Sequence, residues 1–158
     1  MAVFFEVLTQ YDQRDGHRKI DSTQTAALCK PGRIVKSGSD QELEIASAGN
    51  TATGILYGLQ GEAYDRRRND EKTKYTNFVP GDYATIVYGQ FIAQANDDCF
   101  DDTAIPAVGT SIYVGNSGFL SATASGSAIG VVQANDSVPN EAAGTDTVAR
   151  IAFDIKGF

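Results

Sequence analysis

Apolar side chains fall at every second place at the end of this chain: Ala149, Ile151, Phe153 and Ile155, with Arg150, Asp154 and Lys156 on the other face. A period of two puts one set of side chains on a core and the other in water, as an extended strand does. A helix would scatter the same four groups around its axis. Upstream, Ser111 to Val114, Phe119 to Thr123 and Ala128 to Gln133 read as short strands, the first two joined by the tight turn Gly115-Asn116-Ser117-Gly118. Gly, Asn and Ser at this spacing signal antiparallel hairpins.

The same pattern occurs earlier. Pro31-Gly32-Arg33-Ile34-Val35 leads through Leu43-Glu44-Ile45-Ala46 to Thr53-Gly54-Ile55-Leu56. Gly32 lies 22 residues before Gly54, and Gly109 lies 21 before Gly130. A third lead-in, residues 80–88, lacks the rest. Residues 31–58 and 106–133 therefore read either as related hairpin units or as independent uses of common turn chemistry. Tyr83 to Ala93 is apolar on both faces, as a central strand is. The fold class this implies is mainly β: a compact antiparallel β-barrel or β-sandwich. A single β domain is expected over 26–158, closed by a strand at 148–156.

Residues 1–25 are set apart. Ala2, Val3, Phe4, Phe5, Val7 and Leu8 form an apolar tip interrupted by Glu6, and the polar segment behind it has too few apolar residues for a core of its own. This predicts an extended N-terminal arm that can pair as a strand; the alternative is an edge strand of the parent sheet. Residues 62–74 carry nine charges in thirteen positions. Arg66, Arg67 and Arg68 could grip carboxylates bidentately, but four acids stand among five bases, which favours a solvated loop over a partner-facing one.

Length and charge restrict the rest. At 158 residues the chain can bury roughly 70 % of its unfolded surface as one domain. No stretch approaches the ~20 apolar residues of a helical membrane span, and Glu6 and the lack of a basic leader argue against a secretory signal, so folding in a cytoplasm is expected. The net charge is −7. Residues 1–74 hold 11 basic and 11 acidic groups, whereas 75–158 hold Arg150 and Lys156 against nine acids. Such a surface repels phosphate backbones and anionic lipids, so neither nucleic acid nor membrane is an expected partner. Cys29 and Cys99 have no metal-ligand spacing and are expected as free thiols rather than a disulfide.

No constellation carries obvious chemistry. His17, the one histidine, sits in the polar segment without a scaffold for a triad. The aspartates 97, 98, 101 and 102 lack the spacing of a calcium loop. Gly115 to Gly118 precedes a strand, so it is not a phosphate-cradling loop. No catalytic, cofactor or metal site is expected.

The second unit carries a resemblance. Val108-Gly109-Thr110-Ser111-Ile112-Tyr113, Gly118-Phe119-Leu120-Ser121-Ala122, Ile129-Gly130-Val131-Val132 and the closing Val148-Ala149-Arg150-Ile151-Ala152-Phe153 resemble, in order and spacing, the head decoration (cement) proteins of tailed bacteriophages. The match covers 106–155, weakly 31–58, and neither the arm nor the charged loop. The resemblance implies a non-enzymatic virion protein on the outer capsid surface. It implies a homotrimer that bridges neighbouring major capsid protein subunits, with the N-terminal arm, residues 2–8, adding a strand to the shell. Rival classes are a tail-tube or head-fibre β-module and a carbohydrate-binding module using Tyr57, Tyr64 and Tyr88.

Overall fold

Backbone pairing organises nine strands among the described residues: β1 Phe5–Lys19, β2 Ile34–Ser37, β3 Leu43–Ile45, β4 Gly54–Leu56, β5 Tyr83–Asn96, β6 Ser111–Val114, β7 Leu120–Ser121, β8 Gly130–Ser137 and β9 Thr147–Ile155. They come from a computed structural model, which describes residues 5–57, 78–102, 104–137 and 147–156. The order β3-β2-β4-β5-β9-β8-β6-β7 is antiparallel throughout, with β1 paired to β5 off that path, and the sheet curls into a half-barrel. The chain is mainly β, as the period-two pattern predicts; the described residues contain short 3-10 turns and no α-helix.

Several boundaries differ from those the sequence suggests. Residues 134–137, beyond the strand expected to end at Gln133, continue β8 and pair with β9 from Ala134↔Arg150 to Ser137↔Thr147. The polar stretch behind the N-terminal tip is likewise strand: β1 pairs with β5 from Phe5↔Ala95 to Lys19↔Tyr83. In both places a neighbour satisfies the backbone, and a ladder needs hydrogen bonds rather than apolar side chains. Irregularities at residues 8 and 11 let β1 follow β5 along its length.

Residues 31–57 and 106–133 share one hydrogen-bond plan. Gly32 N–H donates to Leu56 O (2.8 Å) and Leu56 N–H to Arg33 O (2.9 Å); Gly109 N–H donates to Val132 O (2.7 Å) and Val132 N–H to Thr110 O (3.0 Å). Thr53 N–H bonds Val35 O, and Ile129 N–H bonds Ile112 O, each at 2.8 Å. The hairpin turns match too, with Gly38 N–H on Glu42 O and Gly115 N–H on Phe119 O, again both at 2.8 Å. Ile20 bridges Leu43 in parallel just as Phe100 bridges Leu120. Each unit thus runs from a long strand through a bridge and a hairpin to a returning strand: β1 to β5 in the first, β5 to β9 in the second. β5 serves both.

Gly54 and Gly130 occupy the same place in this plan. A Cβ at Gly54 would stand 2.9 Å from Val87 O, and one at Gly130 2.7 Å from Ala152 O. Backbone atoms cannot move aside, so both units have glycine where the inner hairpin strand crosses the returning strand.

The faces explain where the units differ in sequence. Val35, Leu56, Ala84 and Ile86 pack with Ile20, Cys29, Leu43 and Phe78 in a smaller core. Their counterparts Ile112, Val132, Ala149 and Ile151 lie in the larger core, with Phe91 and Phe153 stacked at 5.0 Å. The opposite face of the first unit, Ile34, Ile55 and Val87, is buried in that larger core as well. The matching positions of the second unit are Ser111, Val131 and Ala152, where the face is uncovered and Val131 is 42 % exposed. Large aliphatic groups stand where the second unit covers the sheet, and smaller or polar ones where nothing described does.

Candidate functional site

The docking of the two units leaves a cavity of about 340 Å³ lined by Lys30, Arg33, Asp97, Asp98, Phe100, Asp102 and Phe119. The plan of the fold puts them there. Lys30 and Arg33 flank the turn that leads into β2, while Asp97 and Asp98 lie in the 3-10 turn directly after β5. Phe100 forms the bridge to Leu120, and Phe119 closes the β6–β7 turn. Basic groups thus come from the first unit and acidic ones from the second.

Arg33 is the outstanding member. It is 5 % exposed, its guanidinium carbon lies 3.4 Å from the centre of the Phe119 ring, and among the described residues its Nε and Nη1 have no hydrogen-bond partner. Burial lowers its pKa, opposed by the nearby Cys99 and Asp98. An arginine stays protonated under such a shift, so a charged group with open donors is held inside the protein. Asp102 Oδ2 accepts the Ala122 N–H at 3.2 Å. Cys99, between Asp98 and Phe100 in the chain, is buried, and burial first of all pushes its thiol up to about 12. It is an inert thiol rather than a nucleophile.

Of the residues singled out from sequence, Asp97, Asp98 and Asp102 line this cavity; the others lie elsewhere. Ala2, Val3 and Phe4 fall outside the described residues, as do Arg66, Arg67, Arg68 and Tyr64. Phe5 is buried, its ring 6.4 Å from that of Phe153. Val7 is half-buried against the core, and Leu8 is 43 % exposed at the first irregularity of β1. The apolar tip is therefore divided between the protein's own core and its surface. Tyr57 and Tyr88 also pack on the core half-buried. His17 is exposed, stacked on Tyr83 at 5.6 Å, with Nδ1 3.4 Å from Thr85 Oγ1. Cys29 and Cys99 are both buried thiols and are not joined in a disulfide.

One further carboxylate cluster, Asp21, Asp40 and Glu42, has ligand atoms within 4.8 Å of one another. Local bonds occupy it. Asp21 Oδ1 accepts the Thr23 N–H (2.7 Å) and Oγ1–H (2.6 Å), which hold its pKa below the ordinary value, and Glu42 takes Lys19 Nζ at 2.6 Å.

Sequence reasoning missed Arg33 and Phe119. The available signal was the comparison of units: Arg33 stands where the second has Thr110, and Phe119 where the first has Glu42. Among the described residues no helix is long and apolar enough to cross a membrane. Compared with known proteins, the chain matches no family model and no curated protein.

Proposed function

We propose that this chain is a structural virion protein. It binds the outer surface of an assembled phage capsid and stabilises it by bridging neighbouring major capsid protein subunits, as a homotrimer and without enzymatic activity. The resemblance of residues 106–155 to capsid decoration proteins suggests the reading. The observation that supports a contact mechanism is β1, whose only strand partner among the described residues is β5. The other edge of β1 is a row of backbone donors and acceptors on which a partner strand can add. The irregularities at residues 8 and 11, with Glu6 on the strand, blunt that edge against indiscriminate pairing. Three such edges on a trimer would multiply a weak single contact.

The test is sedimentation of the purified protein alone and with empty expanded shells. Pelleting only with shells supports the proposal, whereas rings or fibres formed without shells favour a tail-tube or head-fibre part. Leu8→Lys changes an exposed side chain and should weaken shell binding without loss of folding. Deletion of residues 2–8 should abolish binding, and a folded deletion that binds normally removes the N-terminal segment from the mechanism.

A further inference from the structure

We propose that the cavity between the two units binds a small zwitterion, a molecule carrying a carboxylate and an ammonium a few bonds apart, as a free α-amino acid does. The first ground is Arg33. A buried cation with two unmet donors is a costly thing to keep, and native proteins keep such groups where something arrives to satisfy them. The Phe119 face contacts the guanidinium carbon at 3.4 Å. That attraction offsets part of the burial, but a ring face is a poor acceptor for N–H groups lying in the guanidinium plane.

The second ground is that the repeating plan does not call for this arginine. Thr110 occupies the matching place in the second unit and makes the same backbone bonds. Arg33 is therefore not needed to build the turn, and neither is Phe119, whose counterpart is Glu42.

The charge pattern sets the ligand class. Lys30 and Arg33 face the cavity together with Asp97, Asp98 and Asp102. A bare anion that met Arg33 would lie among three carboxylates. A bare cation would suit the aspartates and leave the Arg33 donors open. A ligand with both charges answers both walls, carboxylate toward Arg33 and Lys30 and ammonium toward Asp97 and Asp102. The volume of about 340 Å³ is at the lower end of ligand pockets, roughly 300–1,000 Å³, and Phe100 and Phe119 supply apolar wall for a side chain.

The experiment uses the full chain. Glycine, L-phenylalanine and L-leucine are titrated calorimetrically beside phenethylamine, which lacks the carboxylate, and 3-phenylpropanoate, which lacks the ammonium. At least one amino acid should bind, and both one-charge analogues should bind at least about tenfold more weakly than phenylalanine. Arg33→Met keeps an apolar stem over Phe119; it should fold with an unchanged or higher melting temperature and lose binding. Wild-type NMR shifts on titration should centre on residues 97–102 and 119, a readout that stands even if the variant fails to fold. Absence of binding by all three amino acids, equal binding by a one-charge analogue, shifts centred elsewhere, or wild-type binding by Arg33→Met overturns the proposal.

Discussion

Ile55 and Val131 hold the same place in the two units and differ in what lies over them, so truncating each to alanine measures the covering directly. Ile55 is fully buried in the larger core; Val131 is 42 % exposed. Ile55→Ala removes three carbons, worth about 2.4 kcal/mol at ~0.8 kcal/mol per buried carbon. A residual cavity adds roughly 1 kcal/mol at ~24 cal/mol per Å³ for a void of some 40 Å³, so the total is about 3–4 kcal/mol. Val131→Ala removes two carbons that are little more than half buried, and water fills the space, which leaves about 1 kcal/mol. Urea unfolding followed by circular dichroism would give both values from the shift in midpoint, provided the slope is unchanged. The expected gap is about 2–3 kcal/mol by the same bookkeeping. Equal losses would refute the claim that the second unit covers the outer face of the first.

Phe5→Ala should cost about 3 kcal/mol in the same assay, because the ring is buried against Phe153. A loss below about 1 kcal/mol would mean that β1 is detached in solution. Gln41 has φ 67°, in the left-handed region, and Gln41→Gly should be neutral or stabilising by up to about 1 kcal/mol. The reverse change at the matching turn, Gly118→Gln, should be severely destabilising, since a Cβ there would stand 2.8 Å from Ile34 O. Both thiols are buried, so a maleimide should label neither Cys29 nor Cys99 until urea unfolds the chain; rapid native labelling of Cys99 would contradict its placement. The carboxyl of Asp21 has a lowered pKa in the folded state, so its contribution is present above its unfolded value near pH 4 and lost as pH falls through the folded one. Asp21→Asn should therefore lower the urea midpoint at pH 7 and leave it unchanged near pH 2.

The β fold was legible because Ala149, Ile151, Phe153 and Ile155 alternate against water, a signal that needs no tertiary information. The Gly32/Gly54 and Gly109/Gly130 spacings were legible as well, and they rest on matched hydrogen bonds. What could not be read were strands stabilised by neighbours. Residues 9–19 and 134–137 are mostly polar, and only β5 and β9 beside them make them extended. The correspondence of β1 with β5 was hidden for the same reason, since their side chains face different surroundings. Arg33 was invisible because its burial depends on Phe119, 86 positions away in sequence.

The double duty of β5 has a consequence for any attempt to divide the chain. A cut before it leaves the N-terminal fragment without its returning strand; a cut after it leaves the C-terminal fragment without its opening one. The two units therefore share a single ribbon, and neither can be released as a free-standing module while the other stays intact. A protein joined this way should melt in one transition, with force applied to one unit transmitted to the other.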